Sequence, residues 1–158
     1  MSSLTRKRIL ILIALLSYAG VGGALISQHV FDMMPCAWCV FQRLIYLILG
    51  TVCLLGAMGS PSVARVTSAL SIPISLGGIL AAWYQVSVAA EMESCDRTFA
   101  DQFMVRSGLD GTFPSLFGIF GTCMEARVKL FGVEYAIWSL ALFALLTVMG
   151  IIALRRKS

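Results

Sequence analysis

Residues 35–43 read Pro35-Cys36-Ala37-Trp38-Cys39-Val40-Phe41-Gln42-Arg43, a C-x-x-C pair where a short polar turn gives way to a long apolar run. A helix beginning near Cys36 carries Cys36, Cys39 and Arg43 at i, i+3 and i+7, on one face. A thiol in the first turn of a helix feels the positive end of the helix dipole, which favours thiolate, the reactive form of cysteine. Arg43, one turn further along, puts a cation where it can hold a polar ligand beside Cys39. Two thiols at this spacing close a disulfide or ligate a metal. The rest of the chain bears on which.

The apolar run that follows the pair is one of four. They cover about 9–27, 41–59, 67–90 and 135–154, and each is near the roughly 20 residues that a helix needs to cross a bilayer. Hydrophobic residues make up 59% of the 158 and charged residues 13%, against about 45–50% and about 25% in soluble domains. So few charges cannot cover a globular surface in water. Continuous apolar runs mean helices, because only helices and closed barrels satisfy backbone polar groups in lipid. The expected fold is an all-α membrane protein, a four-transmembrane-helix bundle forming a single domain over 1–158. The first run, with Gly22-Gly23-Ala24 near its end, is longer than the apolar core of a cleaved signal and reads as a retained span.

Charge gives the orientation. Arg6, Lys7, Arg8, Arg65, Arg155, Arg156 and Lys157 fall at the termini and the 59–66 turn, and all eight acidic residues, from Asp32 to Glu134, fall on the other side. The positive-inside rule then puts both termini in the cytoplasm and two loops outside, about 28–40 and about 91–134. The net charge of +4 is divided between the two ends of the bundle, so no basic face for nucleic acid results. Trp38, Trp83, Tyr84, Tyr135 and Trp138 lie near the outer helix ends, where amphipathic rings prefer to sit. Gly20, Ala24, Gly77 and Gly78 are expected to allow close helix approach. In the second loop Phe113, Leu116, Phe117 and Phe120 recur at i, i+3, i+4 and i+7. That face is expected on a short interfacial helix, lying on the membrane or packed against the bundle.

Of five cysteines, Cys36, Cys39, Cys95 and Cys123 fall in or beside the outer loops, and Cys53 lies deep in the second span as a small buried residue. Disulfides persist outside the bacterial cytoplasm. If the C-x-x-C closes, Cys95 and Cys123 remain to pair across the long loop, but sequence alone does not fix connectivity. Three classes compete. A zinc site of four thiolates is opposed by the wide second spacing and the oxidising side. A disulfide-stapled scaffold explains a bridge across the long loop but not the C-x-x-C, whose short loop removes little unfolded-state entropy. A thiol–disulfide oxidoreductase explains both: one pair on a loop meets a soluble partner, and one at the membrane boundary meets something in the lipid.

Gln28-His29 precedes this first pair, Asp96 follows Cys95, and Phe103-Met104-Val105-Arg106, Cys123-Met124-Glu125 and Leu130-Phe131-Gly132-Val133 complete a pattern covering nearly the whole chain. In these motifs and its four spans the chain resembles the DsbB family, bacterial inner-membrane oxidases that regenerate the periplasmic dithiol oxidase DsbA. The resemblance implies disulfides Cys36–Cys39 and Cys95–Cys123, with all four cysteines catalytic. Cys95 would form the mixed disulfide with a DsbA-like partner, and electrons would leave from Cys39 to a quinone, ubiquinone or menaquinone, with no metal. Arg43 would sit at the quinone. DsbA is itself a strong oxidant, so its reoxidation needs a still stronger electron sink. The alternatives are a DsbI-like thiol oxidase with another partner and the non-catalytic scaffold. At Gln42 the chain departs from the glutamate that the resemblance leads one to expect, which would leave Arg43 with one less negative neighbour.

Overall fold

Hydropathy and capping together set the ends of the long helices in the computed structural model, which describes residues 2–91, 98–122 and 124–156. Helix α1 spans Ser2–Val30, α2 Ala37–Met58 and α3 Pro61–Ser87. After the outer loop comes α7, Tyr135–Arg155. All four are long and apolar enough to cross a membrane. The protein is an all-α membrane protein built on four such helices.

Helix α3 begins six residues before the apolar run because Ser60 caps it, its Oγ accepting from Val63 N at 3.4 Å, with Pro61 in the first turn. Helix α2 begins at the C-x-x-C itself. Its end is held from α1, where Lys7 Nζ donates to Gly59 O at 2.7 Å.

Helix α1 packs on α2, α2 on α3, α3 on α7 and α7 back on α1. Leu10, Ile13, Tyr46, Leu49, Cys53, Phe143 and Leu146 fill the centre. Cys53 is fully buried there, as a small apolar residue would be. The outward faces carry Leu12, Leu15, Leu55, Leu76, Leu80, Leu145 and Val148, all exposed, whereas Ser17, Ser68, Ser71, Ser75 and Thr147 are buried. Polar residues inside and leucines outside suit lipid as the solvent. Thr147 Oγ1 donates to Ser75 Oγ at 2.8 Å, joining α3 to α7 across this polar seam. At the basic end, buried Arg6 donates through Nε to Ala153 O at 3.0 Å and through Nη2 to Arg156 O, tying the start of α1 to the end of α7.

Two glycines allow close approach between helices. A Cβ at Gly56 would run into the Thr67 side chain, and one at Gly78 into the Phe143 ring. Gly77, expected at an interface, faces open space instead, since one residue is 100° of helix rotation away. Phe143 stacks on Tyr46 at 4.0 Å, with ring planes 4° apart. Gly78→Leu should therefore force that stack apart and cost on the order of 3 kcal/mol by overpacking, read as a lower unfolding temperature in detergent.

Among its described residues the outer loop holds three short α-helices, α4 (Phe99–Arg106), α5 (Leu109–Thr112) and α6 (Pro114–Phe117). The helical face read over 113–120 is cut short. Only one turn forms, and the chain is extended from Gly118 (ψ 134°). Phe117 is buried with Val40 and Met104, Leu116 lies partly buried beside them, and Phe113 and Phe120 are exposed. A two-residue hairpin follows, β1 (Lys129–Leu130) antiparallel to β2 (Val133–Glu134). Phe131 (φ 53°) and Gly132 (φ 80°) form its turn, and positive φ at both central residues matches strand twist. Arg127 Nε bonds Glu134 Oε1 at 2.8 Å beside it.

Candidate redox site

Cys36 is the N-cap of α2 (φ −88°, ψ 173°), and its carbonyl accepts the first helical bond, from Val40 N at 3.1 Å. The side chain makes no capping bond. Its sulfur lies 3.4 Å from Cys39 Sγ, beyond the roughly 2.05 Å of a disulfide, so the pair here is two thiols in reach of one another. The hydrogen bond to Cys39, with burial second, pushes the Cys36 thiol well above the usual cysteine range.

The two thiols face different surroundings. Cys36 is fully buried among Ala37, Trp38, Ala81, Ala89 and Ala100. Cys39 instead lines a cavity of about 210 Å³. Gly20, Gly23, Ala24 and Gln28 of α1, Arg43 of α2, Gln85 of α3 and Tyr135 and Ser139 of α7 share that lining. The face carrying Cys39 and Arg43 thus opens on one space, as the i, i+4 spacing requires.

Arg43 is held from two sides. Nη1 donates to Gln28 Oε1 at 2.6 Å and to the carbonyl of Leu116 in the outer loop at 2.9 Å, and Nη2 reaches Ala24 O at 3.4 Å. Every one of these partners is neutral. Nε is buried with no partner. The loop is tied to the pair as well: Phe120 N and Gly121 N donate to the carbonyl of Pro35 at 3.1 and 3.2 Å. Cys95 and Cys123, with Asp96, lie outside the described residues. His29, exposed, reaches Ser115 O through Nε2 at 3.2 Å.

A family model described as "Disulfide bond formation protein DsbB" matches residues 6–153. The chain belongs to the DsbB family. Among curated relatives, disulfide bond formation protein B 1 of Pseudomonas syringae pv. syringae is 32% identical over 157 residues, covering 96% of this chain and 92% of that one. The protein of the same name in Pseudomonas savastanoi pv. phaseolicola is 33% identical over 156 residues, with 96% and 92% covered. Disulfide bond formation protein B of Ralstonia nicotianae is 30% identical over 148 residues, with 93% and 92% covered. This DsbB-family chain is therefore a membrane disulfide bond formation protein, a disulfide oxidoreductase of a family that resides in the bacterial inner membrane.

One site residue escaped the sequence reading. Gln85, 5% exposed, donates through Nε2 to Cys39 Sγ at 3.1 Å. Gln42, 4% exposed, does not bond Arg43; its Nε2 donates to Gln85 Oε1 at 2.6 Å. An uncharged amide late in the third apolar run was the available signal, because intramembrane polar residues face the bundle interior. What was missing was the rotation of α3 about its axis.

Proposed function

We propose that this protein reoxidises a DsbA-like periplasmic dithiol oxidase and passes the electrons to membrane quinone. One observation carries the reading: Cys39 and Arg43 line a single cavity between the helices from which Cys36 is shut out. The residues suit a quinone. The walls are largely small or apolar, and a volume of about 210 Å³ equals on the order of seven waters, room for one ring. The unpartnered Nε of Arg43 is a buried donor that lacks an acceptor, and such groups are rarely left so.

When bound, a quinone accepts two electrons and two protons. The chain's own residues do the rest. The partner's dithiol attacks the Cys95–Cys123 disulfide through Cys95, and two exchanges leave the partner oxidised and Cys95 and Cys123 as thiols. These reduce the Cys36–Cys39 disulfide in turn, each exchange breaking one S–S bond and making one. The Cys36–Cys39 dithiol would close again to the disulfide, giving up its electron pair through Cys39 together with its two protons, the pair and protons that a quinone held beside Cys39 and Arg43 would accept. Arg43 holds a cation where negative charge grows on an oxygen, the arrangement that lowers such barriers most. In this reading the redox loops face the periplasm and both termini the cytoplasm, supported by the Lys and Arg at the termini and the 59–66 turn.

The test is oxidation of reduced DsbA by the purified protein with ubiquinone, with menaquinone and with neither. Turnover only with a quinone is the expected result. Oxidation that stops once the protein's own disulfides are spent, whatever quinone is added, would refute the electron route. Arg43→Ala should lower kcat/KM for quinone by roughly tenfold to a hundredfold, the value of a hydrogen bond to a charged group. Its single-turnover oxidation of DsbA should stay within about threefold, since that thiol–disulfide exchange makes no use of the quinone.

A further inference from the structure

The two buried amides beside Cys39 form a directed chain. Gln42 Nε2 donates to Gln85 Oε1 at 2.6 Å, and Gln85 Nε2 donates to Cys39 Sγ at 3.1 Å. A carboxamide has one accepting end and one donating end. With its oxygen engaged by Gln42, Gln85 must turn its NH₂ toward the sulfur. The two helices meet here without a carboxylate, and Arg43 spends its described bonds on Gln28, Leu116 and Ala24. Among the described residues, Gln85 is thus the one side chain that donates to Cys39 Sγ apart from the thiol of Cys36.

We infer that Gln85 is a positioning residue for the Cys39 sulfur and that Gln42 sets its orientation, so that an N–H, and not an oxygen, faces Cys39 when that sulfur bears charge. The inference rests on Cys39 being the reacting sulfur of the pair. Gln42 then has a role of its own in this chain. A neutral amide at 42 supplies the donor that orients Gln85, whereas an ionised glutamate there would only accept, and would draw the NH₂ of Gln85 away from the sulfur.

Two observables follow, and the first needs neither quinone nor a partner. In the reduced protein, the rate at which N-ethylmaleimide alkylates Cys39 is measured by mass spectrometry, fragmenting the peptide to locate the label. Gln85→Met keeps side-chain length and removes the donor. It should slow Cys39 labelling by about tenfold, as loss of a hydrogen bond to a charged acceptor does. Gln42→Met should slow it by roughly threefold, and in the Gln85→Met background it should add nothing, because the two act as one unit. In turnover, Gln85→Met should lower kcat by a similar factor and leave the quinone KM within about twofold, since Gln85 bonds sulfur and not the ligand. Parental labelling in Gln85→Met would overturn the inference. So would additive effects in the double variant. Failure of quinone turnover with the labelling pattern intact would count against the proposed electron acceptor and leave this inference standing.

Discussion

Cys39→Ser is expected to leave no measurable quinone-dependent turnover. The hydroxyl cannot form the bond with Cys36, and no other described thiol can take its place. Cys53 is sealed in the bundle core, and Cys36 does not reach the cavity lining. The variant should still fold, because serine keeps the size of the side chain and Gln85 finds an oxygen in place of sulfur. Quinone reduction followed by absorbance, with reduced DsbA as donor, checks the claim. Residual turnover within tenfold of the parent would mean that another group delivers electrons. Cys53→Ser, by contrast, should retain full turnover at some cost in stability.

Gly23→Phe should cost nearly as much by a different route. Gly23 lines the cavity, and a Cβ built there meets nothing within 4 Å. A benzyl group can enter that space without displacing a helix, and a helix interior prefers almost any residue to glycine. The expected result is a loss of roughly a hundredfold or more in kcat/KM for quinone, a discrimination of about 2.7 kcal/mol. Stoichiometric oxidation of DsbA by the protein's own disulfides should continue at the parental rate. If quinone turnover survives, the ligand binds elsewhere.

Much of this was legible in the sequence. The four spans, the shared face of Cys39 and Arg43 and the burial of Cys53 all follow from period and hydropathy, but Cys36, read on that same face, packs apart from the cavity they line. Helix ends were less so. Hydropathy starts the third span near 67, but Ser60 and Pro61 start the helix, and polar capping residues are invisible to an apolar window. The loop misled for a related reason: a 3.6-residue spacing over 113–120 assumed a helix that ends before Gly118. The pairing of Gln42 with Gln85, 43 positions apart, depends on how two helices are rotated against each other. No one-dimensional pattern encodes that.

The burial of Cys36 has an electrical meaning. A conductor joining two couples of different potential must be insulated, or stray reductants will drain it. With Cys36 enclosed by Trp38, Ala89 and Ala100, a small thiol finds no route to that sulfur, and the inner pair is open on the cavity side alone, through Cys39. Insulation of this kind requires a switch. Whatever exchanges electrons with Cys36 must first part that cover, and the outer loop is tied down one residue away, by the Phe120 and Gly121 bonds to the Pro35 carbonyl.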